Sequence, residues 1–142
     1  MIARSWSMAG KRIIVIERRT YTFTGLAASQ SQTTVIERAL DVSGHKEGTL
    51  QVAVHSQTWT SGQTLTITAT PVQIVDSEPT TDFLATAAAA TASVGASTNG
   101  KLITANLSSG FGSHVQIAVN AAQPASSTAL ACTITVILVL KD

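Results

Sequence analysis

The hydrophobic and polar positions of this chain alternate as they do in β-strands. Apolar residues take every second position in two central runs, Leu50, Val52 and Val54, and then Leu65, Ile67 and Ala69. Successive side chains of a strand point to opposite faces, so each run predicts a strand with one buried face. The pair Ser61-Gly62 lies between the runs and predicts a two-residue hairpin turn.

This hairpin has a definite predicted register. It places Leu65 opposite Thr58, Ile67 opposite Ser56 and Ala69 opposite Val54, so that the apolar residues of both strands share one face. The other face then carries the polar positions and one tryptophan: Gln51, His55, Gln57, Trp59, Thr64, Thr66 and Thr68.

The most apolar strand is predicted near the C-terminus. One face carries Leu130, Cys132, Ile134, Val136, Leu138 and Leu140. The other face is polar at Thr133 and Thr135 and becomes apolar at Ile137 and Val139. A strand that is buried on both faces near its end suits the centre of a sandwich. Cys132 is predicted to be a small buried hydrophobe without reactivity.

The remaining pattern predicts an all-β fold. Further strands are expected over residues 12–17, 20–24, 33–40, 72–75, 102–107 and 114–120. Turn signals include Ser43-Gly44, Glu47-Gly48 and Asn99-Gly100. Eight or nine short strands favour an antiparallel β-sandwich of jelly-roll type. The alanine-rich residues 83–92 leave two readings open, a short helix or a strand of small residues.

Length and composition refine this picture. The 142 residues suit one domain, which we place at residues 12–142, preceded by an N-terminal arm at residues 1–11. Charged residues make up only 12% of the chain, about half the usual share. Thr, Ser and Ala together fill 57 of the 142 positions. The surface is therefore expected to carry hydroxyl groups rather than ions.

The few charges are unevenly placed. Residues 1–19 have a local charge of +4, whereas the other residues sum to −3. From residue 83 to residue 140 the sequence contains one charged residue, Lys101. We expect this second half to be core or to face another protein.

Few residues suggest chemistry. The histidines His45, His55 and His114 lack the spacing of a metal motif. Serines lie close in sequence to His45 and His114, but serine is so frequent here that a catalytic constellation is not implied. The acidic residues Asp76, Glu78 and Asp82 match no calcium loop and predict a solvated loop or ion-pair partners for the arm. We expect no enzyme activity, cofactor or metal.

The N-terminal arm is the strongest candidate for an interface. It combines aromatic, apolar and basic residues, the types that often anchor protein contacts. The candidate interface residues are Arg4, Trp6, Met8, Lys11 and Arg12, together with Trp59. Nucleic-acid binding is disfavoured because the whole chain carries a net charge of only +1. An undocked tail is the competing interpretation. Neither a signal peptide nor a membrane-spanning segment is predicted, so folding in a cytoplasm is expected.

Taken as a whole, the chain resembles the small β-sandwich decoration, or cement, proteins of tailed bacteriophages. The resemblance rests on the size, the missing export signal, the lone cysteine, the basic N-terminal residues 1–19, the Thr-rich strand at residues 63–70 and the closing strand at residues 129–140. It implies a jelly-roll protomer that forms homodimers or homotrimers and grips the major capsid protein with its arm. It also implies a place on the capsid surface of a virion, with assembly in the host cytoplasm.

Two other functions stay open at this point. A carbohydrate-binding module of the same fold class would use Trp59 and Tyr21 as stacking platforms. A small coat protein would form a shell rather than decorate one. Deletion of residues 1–11 is expected to leave a folded decoration protein that no longer binds its capsid.

Overall fold

The computed structural model describes residues 10–23, 30–58, 64–73, 83–84, 90–95, 100–107, 114–123 and 130–141. These residues form strands and turns, without a helix. The nine strands are β1 (Lys11–Phe23), β2 (Gln30–Asp41), β3 (Glu47–Gln57), β4 (Thr64–Gln73), β5 (Phe83–Leu84), β6 (Ala90–Val94), β7 (Leu102–Leu107), β8 (His114–Gln123) and β9 (Leu130–Lys141).

The strands form two antiparallel sheets. The first, here called the β1 sheet, has the order β1-β9-β3-β7. The second, the β2 sheet, has the order β2-β8-β4, and both β5 and β6 pair with β4. The predicted β-sandwich is thus confirmed.

The connectivity is that of a jelly roll. β1 pairs with β9, β2 with β8, β3 with β7 and β4 with β6, so the chain runs as one long antiparallel ribbon. The same register continues from one sheet to the other, because Phe23 pairs with Leu130 and Gln30 pairs with Gln123. The pairs β3/β9 and β4/β8 then join the wrapped ribbon into two sheets.

The core lies between the sheets and follows the period-two pattern. In β3 the residues Leu50, Val52 and Val54 are buried, and in β4 the residues Leu65, Ile67 and Ala69 are buried. The opposing strands complete this core with Ile117 and Val119 from β8 and with Ile134, Val136, Leu138 and Leu140 from β9.

The predicted hairpin between these two runs is wrong. β3 pairs with β7 and β9, whereas β4 pairs with β5, β6 and β8. The two apolar faces do meet the same interior, but from opposite sheets. Alternation determines which face of a strand is buried. It does not determine the strand's partner, because two strands can bury the same faces as neighbours in one sheet or as members of two sheets packed across the core.

The C-terminal prediction is confirmed. β9 lies between β1 and β3 in the middle of its sheet. Its inward face is fully buried from Cys132 to Leu140. On its outward face Thr135 is 8% and Ile137 7% exposed.

Other local predictions need correction. The helix considered for residues 83–92 is not formed at residues 83–84 and 90–92, which belong to β5 and β6, while residues 85–89 lie outside the described part. Small residues such as Ala90 and Ala92 pack inward there, where alanine's helix propensity counts for less than burial. Glu47-Gly48 begins β3 instead of forming a turn. The Ser43-Gly44 turn is confirmed, with Gly44 at a φ of 85°.

Candidate interaction surfaces

The predicted interface residues fall mostly outside the described residues. This holds for Arg4, Trp6, Met8 and Trp59. Lys11 and Arg12 are the first two residues of β1 and are exposed, opposite Leu140 and Val139 of β9. Lys11 therefore belongs to the strand ladder.

β1 forms a basic edge of its sheet. The strand pairs on one side with β9 and lies at the end of the strand order. Its charged residues, all of them exposed, are Lys11, Arg12, Glu17, Arg18 and Arg19. Charges and irregularities on an edge strand oppose uncontrolled pairing with other strands.

A β-bulge interrupts β1 at its basic residues. The register shifts between Ile16 and Arg19, so Glu17 and Arg18 together face Thr135 of β9. Arg18 has a φ of 45°, the one positive φ among the described non-glycine residues. Its backbone N–H donates to Thr135 Oγ1 at 3.0 Å. The threonine hydroxyl thus takes the bond that the shifted ladder leaves unmade.

The same hydroxyl also contacts the strand on the other side. His55 Nε2 and Thr135 Oγ1 share a hydrogen bond of 2.8 Å. His55 lies where β3 shifts register between Val54 and Ser56. Thr135 therefore ties together irregular positions of β1 and β3. The sequence pattern did not indicate this role and placed His55 only on the polar face of the predicted hairpin. The available signal was the break in alternation at Arg18-Arg19, which separated two predicted strands that are in fact one.

The outer surface of the β2 sheet is uncharged over three complete rows of side chains, and a fourth row is uncharged on β8 and β4. We call it the hydroxyl face. Its residues are Ser31, Thr33, Val35, Thr64, Thr66, Thr68, Thr70, Thr91, Ser93, Gln116, Ala118, Asn120 and Ala122. Asn120 Nδ2 donates to Thr33 Oγ1 at 2.8 Å across β8 and β2. Among the described strands, this face combines Thr64, Thr66 and Thr68, which the sequence pattern placed in the predicted hairpin, with residues of β2, β6 and β8.

Asp41 lies at the end of the sandwich near Lys11 and forms local hydrogen bonds. Asp41 Oδ1 accepts hydrogen bonds from Ser43 N at 2.9 Å and from Ser43 Oγ at 2.6 Å. These bonds, with smaller help from His114 and Lys11, hold the pKa of Asp41 below its usual range. Because Ser43 donates both its N–H and its hydroxyl to one carboxylate oxygen, this group is a turn stabilised by an aspartate side chain.

A polar cleft of about 450 Å³ lies at the end of β3, β7 and β9. Its lining residues are Glu47, Gly48, Thr49, Asn106, Leu107 and Lys141. Thr49 Oγ1 donates to Asn106 Oδ1 at 3.3 Å, so two of the polar side chains satisfy each other.

Within the described ranges no three His, Cys, Asp or Glu side chains come close enough together to hold a metal ion. The acidic residues Asp76, Glu78 and Asp82 lie outside those ranges.

The aromatic residues give the carbohydrate interpretation little support. Tyr21 is half-buried and packs against the hydrophobic core, so its ring is not an open stacking platform. The second expected platform, Trp59, lies outside the described residues. The described residues include no helix that could span a bilayer.

The lone cysteine is deeply buried. Cys132 is 1% exposed, and burial raises the pKa of its thiol from 9.0 to about 11. At pH 8 we expect a disulfide reagent to modify the native protein at least about 100-fold more slowly than the urea-unfolded chain, because the thiolate fraction falls about tenfold per pKa unit. The absorbance of the thiol that the reagent releases gives the rate of modification and tests this prediction. Equal rates in both states would contradict the buried position.

The fold and these surfaces define a jelly-roll β-sandwich with a basic edge and an uncharged face. Comparisons of the chain with protein-family models, with curated proteins and with solved structures find no significant match.

Proposed function

We propose that this protein is a structural virion protein that associates with itself and binds the outside of a phage capsid as a decoration protein. The observation that carries the proposal is the hydroxyl face. A surface of this width without an ion is unusual for a free monomer, which ordinarily keeps scattered charges on its faces.

The charge distribution supports self-association. Four of the eight described lysine and arginine residues, Lys11, Arg12, Arg18 and Arg19, lie on β1, whereas the hydroxyl face lies on the other sheet. Two copies carry the same charge, so they repel wherever their basic edges approach. Contact through the hydroxyl face avoids this cost, because its residues carry no charge, and Arg38 of β2 lies beyond them.

The basic edge supports a second, different contact. Lys11 and Arg12 stand exposed where residues 1–9 join β1. A cationic edge and an arm with a tryptophan fit a partner surface that is acidic and offers an apolar pocket. We assign this surface to the major capsid protein.

Co-sedimentation tests capsid binding. The full chain should pellet with one or more of a panel of tailed-phage capsids stripped of accessory proteins. A variant lacking residues 1–9 keeps the Lys11–Leu140 pair of the ladder and should bind about tenfold or more weakly, since anchoring aromatic and arginine residues often contribute about 2 kcal/mol each. Circular dichroism controls for folding.

Three results would contradict the proposal. The full chain pelleting with none of the capsids would exclude decoration of that panel. Closed particles of the protein alone under the electron microscope would indicate a coat protein. Polysaccharide binding that disappears in Trp59→Ala would indicate a carbohydrate-binding module.

A further inference from the structure

The edge of the β2 sheet contains an unprotected stretch. In the described part of the chain β2 pairs with β8 alone. Its first half, residues 30–35, contains neither charge nor proline, and the first register shift comes after Val35. We call residues 30–35 the β2 edge segment. An edge of this kind presents unpaired backbone groups to any other strand.

The other described edges are protected. β1 carries five charged residues and two register shifts. β6 and β7 lie against each other along the opposite side of the sandwich, and β5 is two residues long. The β2 edge segment differs from all of these.

The segment is also open on both of its faces. Each of residues 31–35 is exposed, and Val35 is 50% exposed. Gln32 and Thr34 pair with the buried residues Ala121 and Val119 and so point to the inner side of the sheet, yet they too are exposed. A second chain can therefore reach this segment from its edge and from both faces.

From these observations we propose that the β2 edge segment pairs in antiparallel fashion with the same segment of a second copy. This inference rests on the proposed self-association and names where it occurs. A two-fold axis perpendicular to the sheet passes through Thr33, so that Thr33 lies opposite Thr33 of the second copy. Gln32 then lies opposite Thr34, and Ser31 opposite Val35.

The chemistry of the segment fits a second copy. Every row of the proposed pairing is uncharged, so the symmetric contact creates no like-charge pair. Thr33 Oγ1 accepts from Asn120, which leaves its O–H to donate across the axis. The axis also keeps outer faces together, so the two hydroxyl faces join into one continuous surface.

Engineered cysteines test the register. Opposite residues of an antiparallel pair have Cα atoms about 4.5–5.5 Å apart, within disulfide range. Thr33→Cys should therefore form a disulfide-linked dimer under mild oxidation. Ser31→Cys is the matched control on the same face, because its two copies would lie about 13 Å apart along the strands. The buried Cys132 leaves both variants with a single reactive thiol.

A charge substitution tests the edge itself. Thr33→Lys places two cations across the axis and should convert the oligomer to protomers of half the mass or less by sedimentation velocity. Thr104→Lys makes the same change at an exposed position of β7 and should keep the wild-type mass. Circular dichroism confirms that both variants fold.

The outcomes separate the two proposals. Cross-linking of Thr33→Cys at least tenfold faster than Ser31→Cys, together with dissociation of Thr33→Lys, supports the pairing. Equal cross-linking, an undissociated Thr33→Lys or a monomeric wild type overturns it. Capsid binding by the same preparations is measured separately, so wild-type protein that pellets with capsids while the pairing fails leaves the decoration function standing.

Discussion

Replacing Leu138 by alanine should lower the free energy of unfolding by about 3 kcal/mol, within the range of about 2–5 kcal/mol for buried leucines. Leu138 is 0% exposed and lies in β9, the strand between β1 and β3. Its cross-strand neighbours are Ile13 and Leu50. These neighbours belong to sheet ladders and move little, so much of the new cavity stays open. Urea denaturation followed by circular dichroism measures the change.

Leu102→Ala is the matched control for this variant. Leu102 is 55% exposed on β7, an edge strand of the same sheet. The same side chain is removed there without leaving a cavity, so we expect a loss below about 1 kcal/mol. Similar losses in the two variants would mean that β9 is not the centre of the sandwich.

Replacing Thr135 by valine should cost about 2 kcal/mol, because the shape is kept while the hydroxyl is lost. The Arg18 N–H then has no partner in the shifted ladder, and the bond to His55 Nε2 disappears. A polar group left unsatisfied in a partly buried position costs about 1–3 kcal/mol. Denaturation measures the total, and hydrogen exchange at the Arg18 amide should accelerate more than exchange in β4.

Thr135→Ser separates the hydroxyl from the rest of the side chain. Serine keeps the oxygen that accepts from Arg18, so it should recover most of the stability and of the amide protection. If the serine variant is as unstable as the valine variant, the methyl group stabilises the position and the hydroxyl does not.

β1 shows how far local pattern could lead. The sequence predicts two strands here, at residues 12–17 and 20–24, with a gap at Arg18 and Arg19. The structure has one strand with a bulge at that gap. Two adjacent arginines break the alternation equally well in a turn and in a bulge. The deciding contact is with Thr135, which lies 117 positions further along the chain.

The hydroxyl face was predictable only in part. Alternation in β4 correctly separates Thr64, Thr66 and Thr68 from the buried residues between them. It could not place Asn120 and Thr33 beside them, because that arrangement depends on the β4/β8 and β2/β8 pairings. The open edge at residues 30–35 depends on the same strand order, since a central strand of identical sequence would have no free edge.

The order of side chains along the chain was enough to predict the all-β class, the buried face of each main strand and the central place of β9. These properties follow from the period-two alternation of each strand and from the number of apolar residues in it, and both can be read from the local sequence. The folded arrangement was needed to show that β3 and β4 lie in opposite sheets, that the Thr135 hydroxyl joins β1 and β3, and that β2 has an open edge. Which strands pair depends on loop closure and on packing across the whole core. Strands with the same alternating pattern therefore cannot be assigned their partners from the local sequence.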